Sequence, residues 1–384
     1  MDLGLSEQQQ ILRQTAREFL EGECPISLVR ELEGGEEGYS LSLWKNMADL
    51  DWLGLALPPQ YGGAGGSPVD AVVLFEEMGR ALVPGPILPS CVMAAQTLLR
   101  AATEAQKADL LSAIARGDVI VTTALGEPGS GLAGGGLGLR AAPDSGGYVI
   151  DGALLFVPYA HRADYILCVA ETNGRAGDVG QPAKAGEGDT LFLVEAGSPG
   201  VTANLLDSVA GYKQHEVLFQ GVTVREEAVL GGVGQASGYL VEAGDWATVM
   251  QCAEIVGRAE KILEMVVEYA KNRVQFGRPI GSFQAVQHRC ADLRVGVDGA
   301  RLVTHQAAWK LAEGLPSSTD VSMAKACAGS LSRQAVAAGH IIFAGIAFTM
   351  EHDMQLYTMR SKIAEANLGD TDFHLDRLSE QVRL

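Results

Sequence analysis

The stretch RVQFGRPIGSFQAVQH, residues 273–288, gathers side chains suited to gripping a polar ligand. Arg273, Gln275 and Phe276 surround a Gly-x-Pro turn, and Gln284 and Gln287 follow on what reads as the next helix. The segment is too polar for a buried hairpin. The alternative reading gives the Arg and the two Gln a purely structural task, capping a helix-turn-helix. The net charge of −18 argues against nucleic acid, which needs a basic face. An anionic ligand must therefore be met by local Arg and Lys against the overall field. A second motif, GSGLAG (129–134), satisfies G-x-G-x-x-G after a β-like run. Its third Gly should open a helix facing a pyrophosphate, and GGLGLRAAPDSGG cannot form one, so a flexible loop is expected. The six cysteines (Cys24, Cys91, Cys168, Cys252, Cys290, Cys327) show no metal-site spacing and read as buried small apolar residues, with no metal expected.

The elements that must position these residues fall into three blocks. With 384 residues, 47% of them apolar and 20% charged, the chain is long enough for two or three domains. Residues 1–116 read as an all-helical domain: Ser6 opens EQQQILRQTAREFL, SLWKNMADLDWLGLA follows, and SPVDAVVLFEEMGRAL starts at a Ser-Pro cap. The loop PPQYGGAGG (58–66) is too rich in Gly and Pro for regular structure. Residues 117–233 change to short β-branched runs, DVIVTTAL, GYVIDGALLFV, ADYILCVAE, TLFLVE and HEVLFQGVTV, which predict an antiparallel barrel or sandwich. TNGRAGDVGQPAKAGEGD (172–189) reads as a mobile surface loop. Residues 234–384 return to long helices with apolar positions at three- and four-residue spacing, including Val249, Met250, Ala253, Val256, Leu263 and Val266. Ser318/Thr319 cap the third of these, which runs to about Gly339, and a fourth covers about 353–367, giving a four-helix bundle. The fold class expected is α+β multidomain: N-terminal helical domain, middle antiparallel β-barrel or sandwich, C-terminal four-helix bundle. The start, MDLGLSEQQQ, reads as neither signal nor transit peptide, and no apolar run approaches the roughly 18–20 residues of a membrane span. A cytoplasmic protein is expected.

Three segments in this order carry a resemblance. ALPPQYGGAGG with FEEMGRAL, then GEPGSG, then RVQFGRPIGSFQAVQH make the chain similar to the acyl-CoA dehydrogenase family over essentially its whole length. The resemblance implies FAD, an acyl-CoA thioester, a tetramer built as a dimer of dimers, and an electron-transfer flavoprotein as acceptor. It also implies a carboxylate that removes the α-proton while the β-hydrogen passes as hydride to the flavin. The family places that base near the C-terminus or on the long helix, and here those positions hold Leu368 or Gly369 and Ala247. Thr248 stands where many relatives have a supporting Arg. The nearest substitutes are Glu254 and Asp370.

The flavin contacts implied by the family are uneven. The expected Thr-Glu-Pro-x-x-Gly-Ser appears as Gly126 to Leu132, without either hydroxyl. The ring-covering Trp becomes Phe156, followed by Val157 and Pro158, and a Gln-x-x-Gly-Gly motif appears as Ile341 to Gly345, with Ala344 in place of the first Gly. The Arg273 motif is intact. In the family its counterparts reach across a dimer interface to the neighbour's FAD, so Arg273 suits phosphate, Gln275 and Gln284 ribose or phosphate, and Phe276 packs the turn. Three readings follow: a subunit with a degenerate site of its own that completes a homologous partner's FAD site, as in bacterial heterotetramers acting on steroid-type CoA esters; a self-sufficient homotetrameric dehydrogenase with a relocated base; and a member with other flavin or CoA chemistry. The losses on the ring side favour the first.

Overall fold

The computed structural model describes residues 4–124, 138–172, 189–209 and 212–382. The segments GSGLAG and most of 172–189, together with Gly126, lie outside them. Six helices come first: α1 (Glu7–Glu23), α2 (Ile26–Gly34), α3 (Leu41–Asp49), α4 (Pro68–Ala81), α5 (Ala95–Ala101) and α6 (Glu104–Ala115). Eight strands follow: β1 (Val121–Ala124), β2 (Leu139–Asp144), β3 (Gly147–Pro158), β4 (Tyr165–Glu171), β5 (Asp189–Glu195), β6 (Val201–Leu206), β7 (Gln214–Arg225) and β8 (Val229–Leu230). The chain then forms α7 (Ala236–Asn272), a short hairpin of β9 (Val274–Gln275) and β10 (Arg278–Pro279), α8 (Gln284–Ala312), α9 (Ser318–Phe343), α10 (Met354–Ala366) and α11 (Thr371–Val382). It divides into two compact units: residues 1–31, 67–83 and 248–384 form the first, and residues 32–66 and 84–247 the second.

The first unit is helical. Ser6 and Gln9 close a capping box at the start of α1, and Ser67 and Asp70 do the same for α4, where Pro68 occupies the first turn. Helix α4 buries almost every residue from Ala71 to Gly79. Its seam with α7 is backbone against backbone: a Cβ on Gly257 would stand 1.8 Å from the Glu76 carbonyl oxygen, and one on Gly79 would stand 2.2 Å from that of Glu254. Charged pairs flank the seam. Arg301 bridges Glu76 (2.9 Å) and Glu260 (2.6 Å), His305 meets Glu76 at 3.0 Å, and Arg80 pairs with Glu264.

The bundle helices follow the apolar stripes, with Val249, Met250, Ala253, Val256, Leu263 and Val266 of α7 all buried. A short fifth helix, α11, follows the four long ones. Helix α9 runs past Gly339 to Phe343 because that glycine makes room rather than a stop: a Cβ there would lie 2.5 Å from Met354 Cε. Its N-cap is Ser317, with no side-chain cap bond, instead of Ser318/Thr319. Together with the 3-10 turn that follows, α9 (Ser318–Phe348, 31 residues) contains an 18-residue stretch of mean hydropathy 1.3, enough by length and composition for a membrane span. Val336, Ile341, Ile342, Phe343, Ile346 and Phe348, with the alanines among them, produce that value, while Arg333, Gln334 and His340 interrupt the segment. The helix buries Asp320 and Lys325 and packs on α8, α10 and α11, as a core helix does. Cysteines 24, 91, 168 and 252 are buried, as expected, but Cys290 on α8 is half-buried and Cys327 on α9 exposed.

The second unit contains the sheet, in the order β6-β7-β3-β2-β4-β5-β8, with β1 beside β4. Most pairings are antiparallel, as expected. β1 and β4 pair in parallel, and β2 touches β4 in parallel at Arg140 and Glu171, so the sheet is mixed. The β2–β3 hairpin between β1 and β4 supplies the long crossover that a parallel pairing needs. Ile150, Leu154, Phe192, Val217, Phe219 and Val222 form its core. Beside it, the buried Tyr159 hydroxyl accepts a hydrogen bond from the Gly85 amide (3.1 Å) and donates to the Gly38 carbonyl (3.3 Å), tying two loops together.

The α4–α7 seam predicts that Gly257→Ala lowers the unfolding free energy by about 1–3 kcal/mol, the usual cost of overpacking. Gly299→Ala, on α8 with nothing within 4 Å of its Cβ position, instead stabilises by roughly 0.5–1 kcal/mol. Urea unfolding of the two variants beside wild type measures both signs.

Candidate functional site

The polar turn after α7 is a two-residue hairpin. Gln275 pairs with Arg278 and Val274 with Pro279, leaving Phe276 (φ 52°) and Gly277 (φ 78°) as the two linking residues. Positive φ at both positions is the geometry of a type I′ turn, which twists with its strands. Asn-Gly is the usual occupant, and a Phe in this conformation is uncommon. Bonds from the Arg273 amide to the Tyr269 carbonyl and from the Ile280 amide to the Arg273 carbonyl, both 2.8 Å, join the hairpin to the end of α7. The Phe276 ring meets Phe283 edge-on, and the Arg278 guanidinium lies 4.2 Å above the Phe283 ring centre.

Phe276 is nevertheless 91% exposed, and Arg273, Gln275 and Gln284 are exposed with it. Among the described residues the side chains of these three make no hydrogen bond or ion pair. Helix α8 starts without a side-chain cap, and Gln287 and Ser282 brace the turn, donating to the Gly281 carbonyl (2.9 Å) and the Pro279 carbonyl (2.7 Å). The capping task therefore does not use Arg273, Gln275 or Gln284. Their donors face outward, as a phosphate or ribose ligand requires.

The two candidate bases are both engaged. Glu254 Oε2 accepts from Gln251 Nε2 at 2.6 Å and lies 3.6 Å from Arg258 Nη1. Burial pushes its carboxyl above the ordinary value, against the pull of Arg258 and Arg360. Asp370 is exposed and accepts from the Phe373 amide at 2.9 Å, which caps the first turn of α11. Ala247 and Thr248 are buried. At the C-terminal slot, Leu368 takes φ 59° and Gly369 φ 89°. Lys325, fully buried on α9, donates to the carbonyls of Glu365 (2.8 Å) and Gly369 (2.6 Å), and His374 meets the Leu368 carbonyl at 2.9 Å. This loop is held from two sides and offers no carboxylate at the slot.

The other flavin candidates separate. Phe156 is exposed at φ 60°, in the register shift between Leu154 and Val157 of β3. Gly345 is exposed with nothing within 4 Å of its Cβ position, Ile341 is exposed, and Ala344 is held at φ 56°. The phosphate-side donors thus fit FAD, while the ring-side loop with Gly126 lies outside the described residues. Among the described residues seven non-glycine positions have positive φ, and four of them (Phe156, Phe276, Ala344, Leu368) were singled out from the sequence. Strained backbone of this kind persists where the surroundings over-determine it. Sequence reasoning missed the Lys325 latch. Its signal is a lone cation in the small-residue run MAKACAGSLS of a predicted core helix. Among the described residues no group of three or more His, Cys, Asp or Glu is arranged to hold a metal.

Comparison with known proteins agrees with this organisation. The family model for the acyl-CoA dehydrogenase N-terminal domain matches residues 6–118, and that for the acyl-CoA dehydrogenase C-terminal domain matches residues 238–383. Acyl-CoA dehydrogenase FadE27 of Mycobacterium tuberculosis is 31% identical, covering 100% of this chain and 99% of its own. A chain of the ChsE4–ChsE5 complex from Mycobacterium tuberculosis is 30% identical, with a TM-score of 0.88 over 100% of this chain and 99% of that one. Butyryl-CoA dehydrogenase from Megasphaera elsdenii is 26% identical, with a TM-score of 0.91 over 100% of both chains.

The Lys325 latch has a pH signature. Burial lowers its ammonium from 10.5 to about 8 in the folded chain. The unfolded chain then binds more protons between those values, so stability rises as pH increases from about 8 toward 10.5. The unfolding free energy of wild type relative to Lys325→Met, followed by urea denaturation across this range, should therefore grow with pH. A difference that stays flat or shrinks contradicts the assignment.

Proposed function

Because the chain belongs to the acyl-CoA dehydrogenase family, we propose that it is the supporting subunit of an FAD-dependent dehydrogenase acting on an acyl-CoA thioester, lending Arg273, Gln275, Phe276 and Gln284 to the FAD of a homologous partner. FAD, when bound, supplies the hydride acceptor of the family reaction. The observation that carries this reading is the outward, unpartnered set of hairpin donors beside two carboxylates already engaged elsewhere. Arg273 provides charge-assisted, two-pronged bonding to phosphate. The Gln amides have donors and acceptors for ribose or phosphate. The chain's own site, with Gly126, Phe156 and Gly345 remaining of the ring-side set, lacks the two hydroxyls and the base. Likeness to a chain from the ChsE4–ChsE5 complex supports assembly with a second chain; a tetramer, with an electron-transfer flavoprotein receiving the electrons, completes the proposal.

A specific observation favours a second reading. Burial raises the Glu254 carboxyl above its ordinary value, the direction that makes a carboxylate a stronger general base. In that reading the chain is self-sufficient and Glu254 takes the α-proton.

Expression alone and with a homologous subunit separates the two. The first reading expects colourless protein alone and a yellow complex on co-expression, in which Arg273→Ala weakens FAD retention by roughly 10- to 100-fold, the worth of a charged hydrogen bond. A yellow tetramer of this chain alone that bleaches with an acyl-CoA overturns it. Glu254→Gln in that tetramer then decides the second reading: unchanged turnover removes Glu254 from catalysis.

A further inference from the structure

The first unit has a half-open pocket of about 320 Å3 where the ends of α1 and α4 and the start of α10 meet the C-terminal third of α7. Its size is at the lower end of the roughly 300–1,000 Å3 typical of ligand sites, which sets the scale at a small molecule. Leu20, Ile26 and Met265 give it an aliphatic wall. The charges on its rim are mostly consumed: Arg17 takes Glu77 through two bonds (2.7 and 2.9 Å), Arg80 takes Glu264, and Asp353 takes Arg30 at 2.8 Å. Two lining charges remain without a partner among the described residues, Lys261 and Glu21, one of each sign. Lys261 is half-buried and Glu21 exposed, which places the acid nearer to solvent.

We propose that this cavity binds a small aliphatic zwitterion, a free amino acid with a branched hydrocarbon side chain being the simplest member. Its carboxylate pairs with Lys261, its ammonium with Glu21, and its side chain covers Leu20, Ile26 and Met265. A simple anion would satisfy Lys261 and leave Glu21 unmet. A simple cation would satisfy Glu21 and leave Lys261 unmet. An uncharged hydrocarbon would use the wall and neither charge. Only a ligand carrying both charges on an apolar body uses all three features. The site is separate from the FAD clamp and stands whichever catalytic reading holds.

The test is isothermal titration of the full chain with leucine, 4-methylpentanoate, which lacks the ammonium, and 3-methylbutylamine, which lacks the carboxylate. Saturable leucine binding is expected, with each one-charge analogue weaker by about tenfold or more. Lys261→Met and Glu21→Gln should each weaken leucine binding by about tenfold, and Met265→Trp, which fills the cavity, should abolish it. Thermal melting checks that each variant folds, and the two surface charge variants carry the test if the Trp variant does not. No saturable leucine binding up to about 10 mM, well above a millimolar dissociation constant, overturns the proposal. So do equal affinities for the three ligands, or unchanged leucine binding in both charge variants.

Discussion

The first unit depends on the backbone contact between α4 and α7. At Gly257 and Gly79 neither helix has room for one more carbon atom, so each fixes the height and rotation of the other. A seam without side chains gains little from burying hydrocarbon along its own line. It is held from the sides, by aliphatic residues of α7 and by the Glu76–Arg301–Glu260 bridge. Glu76 and Arg301 are largely buried, so removing one partner would strand the other away from water, a larger loss than the pair's net contribution. Glu254 sits on this seam. Its backbone is fixed by Gly79, and its carboxyl by Gln251 and Arg258.

The same rigidity serves the hairpin. Its strands are two residues each, too short to be stable alone. They hold their shape because α7 delivers Arg273 from a long buried helix and α8 begins directly after Phe283. A tight primed turn between two anchored helices keeps exposed side chains in a limited set of positions. Less entropy is then lost when they close on a ligand.

The chain's broad plan was legible because it depends on periodicity. The α7 stripe, the helix starts at Ser6 and Ser67, and the main strands were all marked by residue type and spacing. The failures have local physical causes. β2, with the sequence LRAAPD, and β6, VTANLL, carry too little β-branched character to stand out, and are strands because β3 and β7 pair with them. Gly339 read as a stop because glycine's usual role at a helix end was assumed, whereas here it admits Met354. At the candidate site the polar side chains could be picked out by type, and Arg273, Gln275 and Gln284 are exposed. The positive φ of Phe156, Phe276, Ala344 and Leu368 could not be read, since nothing in those residue types favours it.

The interleaving of the two units has a consequence for synthesis. Helix α4 emerges early, yet the helix against which it packs is completed only near residue 272, after the whole sheet has been made. At about 5–20 residues per second the ribosome leaves α4 without its partner for on the order of ten seconds or more. Throughout that wait α4 can rest on α1, already made, but the face that α7 and α8 cover in the finished protein is exposed to water. The nascent chain therefore passes through a stage at which the sheet can be complete while the first unit still lacks its centre, and α4 is the segment then most exposed to chaperones or to aggregation.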